Sequence, residues 1–321
     1  MKKALYLIFY NIIIVVVILL LLEFGVRIFS SNIVTQGTDQ SILLENRYYS
    51  TPGLKPNSEG YVFGKEIHVN EFGFLRNACV SKKKRKKVLF FGDSVTMGVG
   101  VDEDSTFVAR LQQHYCDSLE IDNVALIGYN INDYERIIKK MKEENTLSNY
   151  DQILFFFCLN DNYLQKAVKG AADQETVFSS LFTALKSSSY LYIGLKGLAS
   201  DRSKIYYDFD RALYKDSILL HNLDSKISSI VEFVSSDKIS FILLPYEYQL
   251  RENYSKNNLP QQEMQGMLKK KSIVNFDIAP SLVKSTHEAN DLYLYADGIH
   301  FSSMGHCEVA KYVIENKVLH Q

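Results

Sequence analysis

A short apolar run that ends at a glycine constrains this chain more than any other feature. Val88–Phe91 has the length and composition of a strand that is buried on both faces. Gly92 ends the run, and Ser94 follows in a stretch rich in glycine and small polar residues. Ligands of open parallel sheets collect beyond the carboxyl ends of the strands, where this serine would lie. An ordinary turn has the same pattern, so other parts of the chain must decide between a turn and a nucleophile.

Strands that alternate with helices predict the fold class. Apolar runs of strand length recur at 123–127, 153–158, 239–244 and 273–278. Segments with helical periodicity lie between and after them, at 105–119, 132–141, 216–234 and 303–318. Such alternation is typical of parallel strands joined by crossover helices. We therefore expect residues 86–321 to form a three-layer α/β/α sandwich of the flavodoxin-like type, with a parallel sheet of about five strands.

One interval breaks this alternation. Residues 162–215 contain leucines and aromatic residues among serines and lysines, without a clear strand. We interpret the interval as a helical insertion near the edge of the sheet that carries the active site. The alternative is a long crossover without a role of its own.

The N-terminus has the composition of a membrane span. Lys2 and Lys3 precede an almost continuous apolar run, 4–22, which is long enough to cross a bilayer as a helix. A cleavable signal peptide usually has a shorter apolar region that ends in small residues, whereas bulky residues follow here. We expect residues 1–30 to be an uncleaved single-pass anchor with a cytoplasmic N-terminus and an extracytoplasmic catalytic domain. The more polar residues 31–85 are interpreted as a stalk and lead-in segment.

Charge and cysteine content limit the possible partners. The formal net charge of −1 gives no electrostatic case for nucleic acid as a partner. The histidines and cysteines lack the spacing of a metal site, so we expect neither a metal nor a cofactor. Cys158 and Cys307 have the pattern of small buried apolar residues. Cys79 and Cys116 could pair in an exported protein, although sequence alone cannot fix the connectivity.

Four sequence blocks resemble the SGNH (GDSL-type) hydrolase superfamily. In chain order, the blocks are Ser94 after the first strand, Gly128 after 123–127, Asn160 after 155–159, and Asp297 with His300 before the last helix. The resemblance extends from about Val88 to the last helix, and the final block is the most specific. One departure is Cys158, which stands where the family often has glycine.

The resemblance implies a role for each of these five residues. Ser94 would be the nucleophile and His300 the base that removes its proton. Asp297 would accept the other ring N–H of the histidine and fix its tautomer. The backbone N–H groups of Ser94 and Gly128 and the amide of Asn160 would form the oxyanion hole.

The expected function is that of a serine ester hydrolase, an acyl- or acetyl-esterase that works through an acyl-enzyme outside the cytoplasm. Its substrate would be an ester-bearing glycan, a lipid or a small acyl ester. An O-acyltransferase that passes the acyl group to a sugar would use the same triad. A catalytically silent binding or assembly protein is a third possibility, because fold alone does not imply activity. The presence of all five residues argues against it, and the sequence leaves the oligomeric state open.

Overall fold

The protein is described from a computed structural model that covers residues 2–30, 33–79, 81, 85–163 and 177–319. The strands are β1 Leu43–Tyr48, β2 Thr51–Leu54, β3 Glu59–Val62, β4 Lys65–His68, β5 Lys86–Gly92, β6 Leu119–Asn123, β7 Gln152–Phe157, β8 Ile239–Leu243 and β9 Val274–Asp277. The helices are α1 Lys2–Phe29, α2 Ser94–Met97, α3 Phe107–His114, α4 Ile131–Glu143, α5 Val177–Ser188, α6 Tyr190–Ala199, α7 Arg202–Leu213, α8 Ser217–Phe233, α9 Glu247–Arg251, α10 Leu259–Lys270, α11 Ala279–Val283 and α12 Ser303–Glu315.

A parallel sheet of five strands, in the order β6-β5-β7-β8-β9, forms the centre of the fold. Every residue of β7 and β8 is buried, as expected for strands covered on both faces. Phe155 lies in register between Phe91 and Phe241, and its ring stacks on theirs at centroid distances of 5.0 and 4.6 Å. Each such buried ring contributes roughly 1.5–3 kcal/mol to stability. The predicted fold class is confirmed.

Helices cover both faces of the sheet because successive strand residues point in opposite directions. On one face, Phe156 contacts Phe107 of α3 at a centroid distance of 4.5 Å, and α3 packs against α12. On the other face, Phe155 contacts Tyr134 of α4 at 5.7 Å, and α4 packs against α8. The result is a three-layer α/β/α arrangement.

The segment interpreted as a stalk and lead-in is folded against this sandwich. It contains two antiparallel hairpins, β1–β2 and β3–β4. Ile42, Leu54 and Val62 are buried and belong to the same core as the sheet. The Leu75 N–H donates to the carbonyl of Asn123 at the end of β6, at 3.0 Å. The segment is therefore more structured than a stalk, because its apolar residues pack against the sandwich. The domain boundaries at residues 30 and 85 stay a prediction.

The interval that breaks the alternation is helical where it is described. Helices α5, α6 and α7 occupy 177–213. The part of the predicted insertion at 164–176 lies outside the described residues. Within 177–213, the helical prediction agrees with the structure.

Among the described residues, one helix is long and apolar enough to cross a membrane. It spans Leu5–Phe29 with a mean hydropathy of 3.0, and none of its apolar window is buried by the rest of the chain. A signal sequence would have the same properties.

The last turns of α1 contact the insertion. The Glu23 carboxylate accepts three hydrogen bonds at the start of α6, from Ser189 Oγ at 2.8 Å, Tyr190 N at 3.0 Å and Leu191 N at 2.9 Å. Arg27 Nη2 donates to the carbonyl of Ser188 at 2.8 Å. Glu23 thus satisfies N–H groups that a helix start otherwise leaves without partners.

The cysteines divide into three environments. Cys79 and Cys116 form a disulfide that ties the N-terminal segment to the chain after α3. Cys158 is buried, as predicted. The prediction for Cys307 is wrong, because Cys307 is exposed on α12 while its neighbour His306 faces the core.

Candidate active site

Ser94 lies just beyond the carboxyl end of β5, an inner strand of the sheet. The preceding Asp93 caps the short helix α2, and its Oδ1 accepts from the Val95 N–H at 2.9 Å. Gly92 is required at the turn because a Cβ there would lie 2.0 Å from Thr96 Oγ1. Only 7% of Ser94 is exposed, so its hydroxyl sits in a small opening of the surface.

Asp297 and His300 share one tight turn before α12. Asp297 Oδ1 accepts from the N–H of Ile299 at 3.1 Å and from the N–H of His300 at 2.9 Å. Gly298, between them, has a φ of +80°, a conformation that favours glycine. The carboxylate therefore organises the turn that carries the histidine.

The structure brings Ser94, His300 and Asp297 together in one hydrogen-bonded chain. His300 Nε2 is 2.8 Å from Ser94 Oγ, and His300 Nδ1 is 2.7 Å from Asp297 Oδ1. Burial opposes ionisation of Asp297, but the charge of His300 and the hydrogen bonds of the turn outweigh it and lower the pKa of the carboxyl to about 2. Burial also opposes the charged form of His300, and the neighbouring Asp297 carboxylate outweighs it and raises the pKa of the imidazole. The imidazole of His300 is thus placed to take a proton from the Ser94 hydroxyl while its other ring nitrogen contacts the Asp297 carboxylate.

The three residues predicted for the oxyanion hole follow adjacent strands of the sheet. Ser94 follows β5, Gly128 lies shortly after β6, and Asn160 lies in a 3₁₀ turn after β7. Gly128 has a φ of +79°, and a Cβ there would meet no other atom within 4 Å, so backbone conformation rather than space selects glycine. Within the described part of the chain, neither the Ser94 nor the Gly128 N–H donates a hydrogen bond.

Asn160 has two partners of its own. Its Nδ2 donates to Asp93 Oδ2 at 3.0 Å, and its Oδ1 accepts from the Tyr246 hydroxyl at 3.2 Å. Burial raises the pKa of Asp93, while the hydrogen bonds from Val95 and Asn160 oppose this effect. The amide of Asn160 is thus held by the residue before the serine, with its second N–H left for another acceptor. No sequence pattern indicates this link between residues 93 and 160.

Three further polar residues have structural contacts. Asp93 and Asp161 bind backbone N–H groups in turns, Asp161 through the N–H of Cys158 at 2.9 Å. His306 is buried and accepts from the Phe107 N–H at 3.1 Å. Burial lowers the pKa of His306 to about 3, so its ring is neutral and suited to this acceptor role.

Two residues of the N-terminal segment reach the triad and were missed in the sequence. Gln36 Nε2 donates to Asp297 Oδ2 at 3.2 Å. The Phe63 ring meets the ring of His300 edge-on, with centroids 5.5 Å apart. The Phe63 N–H donates to the carbonyl of Gly37 at 2.7 Å, which joins the two contacts into one local structure. No sequence pattern marks a contact between positions 261 residues apart.

The residues that could share a metal ion, within the described part of the chain, are not those of the Ser94–His300–Asp297 chain. Among the described residues, the group whose ligand atoms lie close enough to share an ion is Glu59, Glu66 and His68, on the outer β3–β4 hairpin. Both glutamates are exposed, which is usual for acidic surface groups without an ion.

Comparison with known proteins gives a family and a set of structural relatives. A family model described as "GDSL-like Lipase/Acylhydrolase" matches residues 88–313. No curated protein matches the chain. Similar solved structures include a lipase/acylhydrolase from Enterococcus faecalis, at 14% identity and a TM-score of 0.43 over 72% of this chain and 96% of that one. The acetyl xylan esterase AlAXEase is similar at 15% identity and a TM-score of 0.44, over 73% of this chain and 100% of that one. The acetylxylan esterase Axe2 from Geobacillus stearothermophilus is similar at 14% identity and a TM-score of 0.43, over 76% of this chain and 98% of that one.

Proposed function

Because the chain belongs to the GDSL-like lipase/acylhydrolase family, whose model matches residues 88–313, we propose that it is a serine ester hydrolase that works through an acyl-enzyme. The observation that carries the proposal is the continuous hydrogen-bonded chain from Ser94 Oγ through His300 to Asp297. A serine hydroxyl needs such a base to become a nucleophile.

The proposed reaction has two stages. Ser94 Oγ attacks the ester carbonyl while His300 Nε2 takes its proton, and Asp297 stabilises the resulting imidazolium. His300 then gives the proton to the departing alcohol oxygen, which leaves an acyl group on Ser94. A water molecule, deprotonated by the same histidine, attacks the acyl carbonyl. His300 then returns this proton to Ser94 Oγ as the bond between Oγ and the acyl carbon breaks and the acid leaves. The second stage therefore restores the free hydroxyl and the neutral imidazole.

The negative oxygen of each tetrahedral intermediate would be held by three donors. These are the N–H groups of Ser94 and Gly128 and the second amide hydrogen of Asn160. Asp93 supports this assignment because it already fixes the other amide hydrogen of Asn160 at 3.0 Å. Donors that are fixed in advance need no rearrangement during the reaction.

We further propose that α1 is an uncleaved single-pass anchor and that the catalytic domain lies outside the cytoplasm. Lys2 and Lys3 before the apolar helix support a cytoplasmic N-terminus. Glu23 and Arg27 support retention of the helix, because removal of α1 would break their hydrogen bonds to 188–191. The disulfide of Cys79 and Cys116 supports an oxidising compartment. The substrates we propose are acyl esters of surface glycans or lipids.

The proposal is tested by labelling the detergent-solubilised full chain with a fluorophosphonate probe. We expect labelling and turnover of an activated acetyl ester, and Ser94→Ala should abolish both without lowering the melting temperature, because it removes no core volume. His300→Ala should lower turnover by several orders of magnitude. Turnover retained in pure Ser94→Ala protein would refute the nucleophile. A panel of acyl lengths, run with and without a sugar acceptor, then distinguishes hydrolysis from acyl transfer.

A further inference from the structure

Asn160 is connected to a second buried carboxylate besides Asp93. Asp210 of α7 is only 2% exposed, and its Oδ2 lies 2.5 Å from the Tyr246 hydroxyl, which in turn lies 3.2 Å from Asn160 Oδ1. The other oxygen of Asp210 accepts from the Tyr163 hydroxyl. Asn160 Nδ2 continues the row to Asp93 Oδ2 at 3.0 Å. Helix α7 of the insertion thus reaches, through two side chains, the residue that precedes Ser94.

The Tyr246 hydroxyl has one hydrogen and two acceptors within reach. If Asp210 is ionised, this hydrogen goes to the carboxylate, because the charged acceptor is also the nearer one. The Asn160 carbonyl then faces a tyrosine oxygen with no hydrogen between them. If Asp210 carries a proton on Oδ2, this proton goes to the Tyr246 oxygen, and the tyrosine hydrogen goes to Asn160 Oδ1. Only the protonated form of Asp210 gives every contact in the row a hydrogen.

Rotation of the Asn160 amide would not remove this conflict. The amide nitrogen would then face the Tyr246 oxygen, but the amide oxygen would face Asp93 Oδ2, which the nitrogen now contacts at 3.0 Å. Two acceptors would again lie against each other, at the other end of the amide. The observed orientation therefore depends on a hydrogen that comes from the side of Tyr246.

The surroundings of Asp210 favour its neutral form. Across the described residues, no ion pair includes Asp210. Burial raises the pKa of this carboxyl to about 6, opposed by the two tyrosine hydrogen bonds and supported by the charge of Asp93. The titratable groups that interact with Asp210 come from the ends of β5, β7 and α7 and from the start of α9, and they are Asp93, Cys158, Tyr163, Tyr214 and Tyr246. None of these five groups is a cation.

The orientation of the Asn160 amide matters because one of its two N–H bonds is the proposed oxyanion donor. A planar amide is fixed when both of its ends are held, here Nδ2 by Asp93 and Oδ1 by Tyr246. When Oδ1 has no donor, a single hydrogen bond orients the side chain. A donor stabilises the oxyanion best when its direction is fixed before the reaction.

We propose that Tyr246 and the protonated Asp210 are positioning residues, which hold the Asn160 carbonyl and so aim its free N–H at the oxyanion. Both act through Asn160. When Asp210 loses its proton to solvent, the Tyr246 hydrogen turns to the carboxylate, and Asn160 keeps one of its two supports. The effect on catalysis rests on the proposed esterase function, whereas the proton assigned to Asp210 does not.

Asp210→Asn fixes the relay in its complete form, because the new amide nitrogen always donates to Tyr246 and the new carbonyl still accepts from Tyr163. Turnover of an activated acetyl ester is measured with the full chain in detergent. At about pH 8, above the pKa of Asp210, this variant should have a kcat about tenfold above wild type, and at about pH 5 the two should agree, with KM unchanged. Asp208→Asn is the matched control, because Asp208 is exposed on the same helix and pairs with Lys204. A kcat for Asp210→Asn at or below wild type at the higher pH would overturn the proposal.

Tyr246→Phe removes the hydroxyl and keeps the ring. Alone, it should lower kcat about tenfold at about pH 5 and change it little at about pH 8, where the hydroxyl of wild type already donates to Asp210. Tyr207→Phe is the matched control, because its ring is also buried and its hydroxyl donates to the carbonyl of Asn257 at 2.8 Å, away from the relay. A loss that is equal at both pH values would indicate a structural role and overturn the proposal. If Asp210→Asn does not fold, this pH dependence carries the test.

The Asn160→Ala background shows whether both residues act through the amide. In this background, Asp210→Asn and Tyr246→Phe should no longer change kcat at either pH. Effects that persist without the amide would overturn the relay.

Infrared spectroscopy reads the proton on Asp210 without turnover. The carbonyl stretch of a buried protonated carboxyl should be present in wild type, disappear with a midpoint near pH 6, and be missing in Asp210→Asn. Identical carboxyl bands in wild type and Asp210→Asn at about pH 5 would overturn the assigned proton. The expected band together with no turnover of any ester by wild type would refute the esterase proposal and leave the hydrogen-bond relay standing.

Discussion

At the scale of single residues, the Asp297 carboxylate divides its hydrogen bonds unequally between its two oxygens. Oδ1 accepts from the His300 ring and from two backbone N–H groups of the turn. Oδ2 accepts from Gln36, which comes from outside the family's four blocks. Gln36 is therefore a positioning residue that limits rotation of the carboxylate about its turn.

Gln36→Ala should lower kcat about tenfold and leave KM nearly unchanged, because it removes one hydrogen bond to a charged group that does not touch substrate. Steady-state kinetics on an activated ester measure both constants. Gln40→Ala is the control, since Gln40 is exposed in the same segment and donates only to the carbonyl of Thr38. An equal loss in both variants, or a loss in KM alone, would contradict the positioning role.

The dependence of activity on pH follows from the pKa directions at the triad. Burial lowers the pKa of His300, but the Asp297 and Asp93 carboxylates raise it and Lys186 lowers it, with a net rise above the usual value. Because the neutral imidazole is the base, kcat/KM should rise with pH through a midpoint above about 6.5. Asp297→Asn removes the largest charge that raises this pKa, so its residual activity should show a lower midpoint. A midpoint that does not move would contradict the assignment of His300 as the titrating base.

Variants of Asn160 distinguish a catalytic role of this residue from a structural one. Asn160→Ala should reduce turnover about 10²–10³-fold, the usual loss of one oxyanion donor, with a small change in melting temperature. Asn160→Asp should lower the melting temperature further than Ala does, because its carboxylate would face Asp93 Oδ2, which Asn160 now contacts at 3.0 Å. Calorimetry and kinetics on both variants decide the question. Near-normal turnover in Asn160→Ala protein would remove this residue from the oxyanion hole.

At the scale of elements, buried strands were predictable and long-range contacts were not. The run Val88–Phe91 becomes the inner part of β5, because four successive apolar residues suit a strand that is covered on both faces. Helix α4 starts slightly before the predicted helical segment 132–141, because its capping box uses Asn130 and Asp133 and the helix begins at Ile131. Asp297 and His300 were recognisable because their Asp-x-x-His block before the last helix resembles that of the SGNH superfamily. Gln36 and Phe63 were not, since only the path of the folded N-terminal segment brings them to that turn.

The contact between Glu23 of α1 and the start of α6 can be tested by amide hydrogen exchange. Glu23→Ala should speed amide hydrogen exchange at Tyr190 and Leu191 roughly fivefold to tenfold, because loss of a helix cap typically costs about 1 kcal/mol. Exchange is measured by mass spectrometry on the full chain in detergent. Glu45→Ala, on an exposed part of β1, is the matched control. Unchanged exchange at the start of α6 would show that the cap contributes little in solution.

At the scale of the whole molecule, the proposed anchor and the triad are linked by successive contacts. Helix α1 contacts α6 through Glu23, and Gly197 of α6 packs on Ala296 beside the catalytic turn. Gln36 connects the segment after α1 to the same turn. The proposed active site is therefore built against the elements nearest to the proposed membrane span.

Protease treatment of intact spheroplasts tests the topology. We expect protease added from outside to digest the domain after residue 33, because Lys2 and Lys3 would hold the N-terminus in the cytoplasm. Without protease, the intact chain should stay with the membrane fraction. A cytoplasmic marker protein that survives the treatment controls for lysis. Full protection of the C-terminal domain, with digestion only after the membrane is opened, would reverse the proposed orientation.

Ser94 lies far before Asp297 and His300 in the sequence, and this order affects biosynthesis. The ribosome makes Ser94 206 positions before His300, the histidine proposed to activate it. A nascent chain with its serine already translated still has an ordinary, unreactive hydroxyl. The proposed hydrolysis becomes possible only when the turn that carries Asp297 and His300 docks beyond the carboxyl end of β5, after the N-terminal segment has had time to fold. Synthesis itself thus delays the proposed chemistry until the ribosome has added the 206 residues from Ser94 to His300.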